Sequence, residues 1–266
     1  MKYTFLLLLA ISMFSCKNEA KKDTVNPEII SEKMVITPAK NYPEALVKVF
    51  DAHGGLDTWN SMQSLAYTQI KEGGDVSTIT NLKNRNIVVD MPDHTIGYNG
   101  SDVWLNSKND KAFKGKPRFF YNLMFYFYAM PFVLADDGII YGDADPLTFE
   151  GVTYPGIKIS YQNGVGESSG DDYVLYYNPE TYKMEWLGYT VTFFSNEKSS
   201  ELHFRRYTAW QNINGLELTE AMVGYKSEKN VPTEAGREDK FANVKISNEA
   251  PDSNLFEVPE TAKVAE

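Results

Sequence analysis

The hydrophobic positions of this chain change period along its length. From Pro43 to His53, Leu46, Val49 and Phe50 recur at i, i+3, i+4, which predicts an amphipathic helix with Pro43 in its first turn and Gly54-Gly55 at its end. Leu56 to Met62 predicts a further short turn of helix carrying Trp59. Short β-prone runs follow at Ser64–Lys71, Val76–Leu82, Asn86–Asp90, His94–Tyr98 and Asp102–Leu105. Between them lie Gly73-Gly74, Asn84, Met91-Pro92-Asp93 and Asn99-Gly100, the last matching a two-residue hairpin turn with positive φ. After a Lys- and Gly-containing loop, Ser107 to Pro117, comes the stretch Arg118 to Asp136. From Phe119 to Leu134 nearly every side chain is apolar or aromatic, with Asn122 the one strongly polar interruption.

At helical spacing Phe120, Leu123, Phe127 and Leu134 fall near one face of that stretch, and Tyr121, Phe125, Tyr128 and Phe132 near another. A helix that is apolar all round is buried in protein or sits in lipid. Its 16 residues fall short of the roughly 18–20 of a membrane span, and Pro131 predicts a kink near Phe127. A short helix enclosed by the protein is expected, either as solid core or as the wall of an apolar cavity.

Beyond the helix, Asp136 to Asp145 reads as a Gly/Asp loop. Strands are then expected at Thr148–Phe149, Val152–Gln162, Tyr173–Asn178, Met184–Phe194, Glu201–Gln211, Leu216–Tyr225 and Phe241–Asn248, with Lys226–Asp239 as a charged loop. No helical period separates these strands, which points to one strongly curved antiparallel sheet rather than a parallel βαβ array. Met184 to Phe194 carries apolar residues on both alternations, so both of its faces are expected to be covered.

The N-terminus has the form of an export address, with Lys2, an apolar run Phe5 to Met13, and Ser15 before the single cysteine, Cys16. Met13-Phe14-Ser15-Cys16 is similar to a bacterial lipobox, which makes Cys16 the candidate acylated first residue of a mature lipoprotein. The other reading is a leftover cysteine near an ordinary signal-peptidase site. Residues 1–15 are then a signal peptide, 16–41 a lipidated and flexible polar tether, 42–260 a single domain and 261–266 a tail. One cysteine leaves no intramolecular disulfide, so packing must hold the fold.

The formal charge is −10, and loss of residues 1–15 removes one lysine and no acid. With no basic patch interleaved with aromatics in view, nucleic acid is not expected as a partner. The chain holds no P-loop, no Gly-Xaa-Gly-Xaa-Xaa-Gly and no Gly-Xaa-Ser-Xaa-Gly. Its three histidines, His53, His94 and His203, have no second ligand at metal spacing. Asp136, Asp137, Asp143 and Asp145 lack the spacing of a calcium loop and read better as a solvated turn. Arg118 and Arg205-Arg206 could hold an anionic head group at a cavity mouth or pair with surface acids. No enzyme, cofactor or metal is predicted.

The order of parts carries a resemblance: the lipobox cysteine, Ala52-His53-Gly54-Gly55-Leu56-Asp57-Thr58-Trp59, the meander, Pro117-Arg118-Phe119-Phe120-Tyr121 through Ala129-Met130-Pro131-Phe132, and the closing Phe256-Glu257-Val258-Pro259. It resembles envelope lipoproteins of Bacteroidota and, more distantly, the LolA/LolB-like lipoprotein-carrier superfamily. The resemblance implies a half-open antiparallel β-barrel around a few helices, with acyl chains taken up between sheet and helix. It makes Phe119, Phe120, Leu123, Phe127, Met130 and Phe132 the expected cavity lining, with Trp104 and Trp186 as sheet-side partners. The implied partners are a membrane, held through the N-terminal acyl anchor, and a lipid or lipoprotein acyl chain. An envelope scaffold with a solid core, meeting another envelope protein through its acidic surface or through Lys226–Asp239, is the alternative.

Overall fold

The computed structural model of the chain describes residues 40–265 other than 165–167, 169 and 196. The expected leader, Cys16 and nearly all of the tether lie outside the described residues. The folded unit is Asn41–Glu266.

Thirteen strands form one antiparallel sheet that does not close: β1 (Ser64–Ile70), β2 (Val76–Asn81), β3 (Ile87–Asp90), β4 (His94–Tyr98), β5 (Val103–Ser107), β6 (Ile139–Phe149), β7 (Val152–Tyr161), β8 (Tyr173–Tyr177), β9 (Met184–Tyr189), β10 (His203–Ile213), β11 (Leu216–Glu228), β12 (Val231–Ser247) and β13 (Lys263–Val264). Their order is β13-β5-β4-β3-β2-β1-β12-β11-β10-β9-β8-β7-β6. Two meanders, β1–β5 and β6–β12, thus join where β1 pairs with β12, placing Leu65 opposite Ile246 and Gln69 opposite Phe241. Register slips occur in the β1–β12, β10–β11, β11–β12 and β6–β7 pairs, and such bulges bend and twist a sheet. The expected architecture, a half-open antiparallel sheet around a few helices, is what forms.

The helices lie on the concave face. In α1 (Glu44–Ala52) Leu46, Val49 and Phe50 are buried, and α2 (Leu56–Ser61) buries Trp59. Gly54, at φ +104, ends the first helix so close to the Gly215 oxygen that a side chain there would meet backbone.

The aromatic stretch is not one helix kinked near Phe127. It forms α3 (Pro117–Phe120), α4 (Leu123–Tyr128) and a 3-10 turn (Phe132–Ala135), with a break at Tyr121-Asn122 and a cis bond at Met130-Pro131. Pro131 has no N–H to give the Phe127 carbonyl, and the residue before a proline resists helical backbone, so α4 stops at Tyr128. Short buried helices leave carbonyls without partners. Here hydroxyls supply them: Tyr207 donates to Phe127 O at 2.7 Å, Thr219 to Tyr128 O at 3.2 Å, and Tyr141 to Leu134 O at 2.6 Å. Phe132 stacks on Trp59 with centroids 4.7 Å apart, locking the second half of the stretch against α2.

Several expectations fail locally. Asp136–Asp145 is mostly strand, because β6 is an edge strand and needs little apolar content on its outer side. Lys226–Asp239 is no loop: β11 and β12 continue through it as a hairpin turning at Lys229-Asn230, both at positive φ. Both its faces meet water, so it lacks the alternation that marks a half-buried strand. The Asn99-Gly100 turn spans four residues, since Tyr98 pairs with Val103 and the Asn99 side chain accepts from Ser101 N and Asp102 N. β9 ends at Tyr189, short of Phe194. Lys263 and Val264 add to the edge of β5.

Candidate functional site

Between the N-terminal half of the aromatic stretch and the two meanders lies a cavity of about 480 Å³. Small-molecule sites span roughly 300–1,000 Å³. One meander contributes Arg85, Ile87 and Tyr98, and the other Tyr161, Tyr173 and Phe193. Phe119, Tyr121, Leu123, Phe125 and Tyr126 form the wall between them.

The walls are aromatic with neutral polar points. Tyr126 and Tyr161 meet hydroxyl to hydroxyl at 2.5 Å, and the Tyr173 ring lies 5.8 Å from each. Burial pushes all three hydroxyls up, so they keep their protons. Charged groups also line it: Arg85 bonds Asp136 at 2.5 Å with its guanidinium 5.2 Å above the Phe125 ring, and Arg118 and Asp137 are further lining residues. Asp171 accepts from Thr192 N at 2.6 Å, and burial pushes its carboxyl up against the pull of the Thr192 and Thr190 hydrogen bonds. Among the described residues no His, Cys, Asp or Glu side chains group as a metal site, and no helix is long and apolar enough to cross a membrane.

The predicted lining residues divide. Phe119 and Leu123 line the cavity. Phe120 is exposed beside it, its ring against Phe119 and Phe113. Phe127, Met130 and Phe132 sit in the solid core. Trp104 does not face the helices: it alternates with inward Val103, covers Gly97 and donates Nε1–H to Phe256 O at 3.2 Å. Trp186 likewise points away, into a second cluster with Leu147, Tyr154, Val174, Tyr176 and Phe204. Phe149 of β6 reaches Tyr225 of β11 there, at 5.6 Å, so the β6–β7 hairpin tip arches over the outer face. Both faces of β9 are therefore covered, as the double alternation predicts.

Strand alternation also separates the adjacent arginines. Arg205 lies inward over Phe127 and pairs with Asp239 at 2.9 Å, while Arg206 lies outward over Trp186 and Phe149 and meets Glu150 at 3.3 Å. Neither is at the cavity. Of the four suspected calcium-loop acids, Asp136 and Asp137 border the cavity, and Asp143 and Asp145 belong to β6. Tyr126, Tyr161 and Tyr173 were not among the predicted lining residues. Their signal was a polar tip on apolar-parity positions of strand and helix.

A basic patch with interleaved aromatics does exist, contrary to the sequence reading. Lys111, Phe113, Lys114, Lys116, Arg118, Phe119 and Phe120 follow one another closely, and the fold brings Phe193 and Phe194 to the same place.

An open antiparallel sheet that holds an aromatic cavity against its helices defines a β fold with a ligand-sized recess. The chain belongs to DUF6503, a family of unknown function, whose family model matches residues 66–231. Its fold is similar to that of a LolA superfamily protein from Nitrosomonas europaea, at a TM-score of 0.48 and 10% identity over 82% of this chain and 98% of that one. It is also similar to a DUF1329 family protein from Desulfovibrio piger, at 0.49 and 12% over 81% and 98%. A putative outer membrane lipoprotein-sorting protein domain from Vibrio parahaemolyticus gives 0.37 and 8% over 75% and 93%. No curated protein matches the chain.

Proposed function

We propose that this protein is a lipid-anchored envelope protein, acylated at Cys16 and carried on the outer membrane facing the periplasm or the cell surface. Its cavity takes a lipid, a lipoprotein acyl chain or another ligand with an apolar body, and performs no chemistry on it. The observation that carries this reading is the aromatic cavity of about 480 Å³ beside Leu123. Its size and lining suit an amphipathic molecule, with the apolar part among Phe119, Leu123, Phe125 and the neutral tyrosines and the polar end toward Arg85, Arg118, Asp136 and Asp137. The export address and lipobox-like run support the location.

The test is titration with a fluorescent fatty acid, cis-parinaric acid, using the unit from residue 41, which holds every described strand and helix. Saturable binding with a fixed stoichiometry is expected. Leu123→Asp is expected to weaken it at least about tenfold, because a carboxylate in an apolar site must be desolvated. Val152→Asp, at the exposed start of β7 and the opposite end of that strand from Tyr161, is expected to leave it unchanged. Equal binding by both variants, or none by the parent, would contradict the reading. The scaffold alternative draws on the densely packed core around Phe127, Met130 and Phe132 and would survive that result.

A further inference from the structure

Five phenylalanines form an unbroken chain of ring contacts around the cavity mouth. Phe113 meets Phe120 at 5.6 Å and Phe120 meets Phe119 at 5.3 Å. Phe119 then meets Phe193 at 5.1 Å and Phe194 at 4.8 Å. Phe194 is 62% exposed and Phe120 is 40% exposed, and they are the aromatic members of the exposed large hydrophobic set. Contiguous exposed apolar surface of this kind marks an interaction site.

The charge around these rings runs against the rest of the protein. The chain as a whole stands at −10. Yet Lys108 to Arg118 holds Lys108, Lys111, Lys114, Lys116 and Arg118 against Asp110 alone. Lys108 and Lys111 are tied to Asp90 and Asp93 at 2.7 and 2.8 Å, while Lys114 and Lys116 bring positive charge next to the rings. Lys116 Nζ lies 5.8 Å above the Phe193 ring.

The patch is held in shape. Buried His94 bonds Lys111 O through Nε2 at 2.8 Å and presses its ring edge on Phe113 at 5.3 Å. Lys108 donates to Met91 O at 2.7 Å. Gly115, at φ +141, lets the loop pass under Phe120, whose ring would lie 2.5 Å from a Cβ there. A loop ordered to display phenylalanines and lysines together has the chemistry of an interfacial anchor: rings enter the acyl boundary while ammonium groups stay at the head groups.

We infer that the rim formed by Phe113, Phe119, Phe120, Phe193 and Phe194 with Lys114 and Lys116 docks onto a bilayer carrying anionic lipid. Phe119, Phe193 and Arg118 also line the cavity, so docking sets its mouth against the lipid. This stands whether or not a ligand enters the cavity, since surface binding and cavity occupancy are read separately.

The test is flotation of the chain from residue 16 to the C-terminus, with Cys16→Ser so that no acyl group contributes, on phosphatidylcholine vesicles with and without phosphatidylglycerol. Binding to the anionic vesicles, weakened by salt, is expected. Phe120→Ser with Phe194→Ser should reduce it at least about tenfold, and Lys114→Glu with Lys116→Glu by a similar factor. Ile140→Ser, which removes an equally exposed apolar group from β6, should not change it. No flotation, or flotation indifferent to both double variants, overturns the inference. Concentration-dependent self-association that Phe120→Ser with Phe194→Ser abolishes, without flotation, also overturns it and assigns the patch to a second copy of this chain.

Discussion

The two halves of the aromatic stretch have nearly the same composition and opposite fates. From Phe127 to Leu134 the side chains are enclosed by both meanders, with Tyr128, Ala129, Met130, Val133 and Leu134 wholly buried. From Phe119 to Tyr126 they stand where the open sheet leaves a gap, and they form a cavity wall and an exposed rim. The difference lies in what crosses above them. Tyr207 and Thr219 of β10 and β11 close over the second half and bond its carbonyls, whereas the first half faces the separated β3–β4 and β7–β8 regions. Apolar composition tells that a segment avoids water, and the partner strands decide whether it becomes core or site.

The contrast between the halves is sharpest at Phe132, which is 1% exposed and stacked on Trp59. Phe132→Ala is expected to cost about 3–5 kcal/mol in urea unfolding, from lost burial and a residual cavity. A loss near that of a surface change would mean the second half is not enclosed.

Protons test the enclosure next. His53 has no exposed surface, bonds Val49 O through Nδ1 at 2.8 Å, and sits 4.5 Å from the Trp210 ring. Burial lowers its imidazole from 6.5 to about 4, so the folded protein holds it neutral while the unfolded chain binds a proton. Its contribution is full above about pH 6.5 and is lost as pH falls toward about 4, at a cost of about 3 kcal/mol. Unfolding free energies of parent and His53→Gln across that window check this, since the variant loses that part of the pH dependence.

Tyr207→Phe is a smaller probe. It leaves the Phe127 carbonyl buried without its donor, which is expected to cost about 1–3 kcal/mol at unchanged cavity geometry. Phe120→Ser, in the exposed half, is expected to shift stability by no more than about 0.5 kcal/mol. A large loss there would mean the rim is core after all.

Much of the fold is legible in the sequence because strand alternation and turn residues are local. β1 to β5 and β7 fall within a residue or two of their expected bounds. The aromatic stretch is legible as a helical insert, but the kink that Pro131 predicts is instead an end: α4 stops at Tyr128 and Tyr207 bonds the Phe127 carbonyl. β6 and the outer β11–β12 hairpin are not legible, because exposed strands carry no hydrophobic alternation. Trp104 and Trp186 show another limit: parity groups residues by face without saying which face is concave. The cavity's tyrosines depend on pairings that no local pattern contains, whereas the basic aromatic run Lys111 to Phe120 is local in the sequence and only its meeting with Phe193 and Phe194 is not.

The central claim is that the gap above the first half of the aromatic stretch is a binding cavity. Native mass spectrometry of the protein purified from its own envelope, followed by solvent extraction, tests it most directly. A discrete added mass that extracts as lipid and is lost in folded Leu123→Asp is the predicted result. A clean apo mass that stays unchanged after incubation with envelope lipids would contradict it.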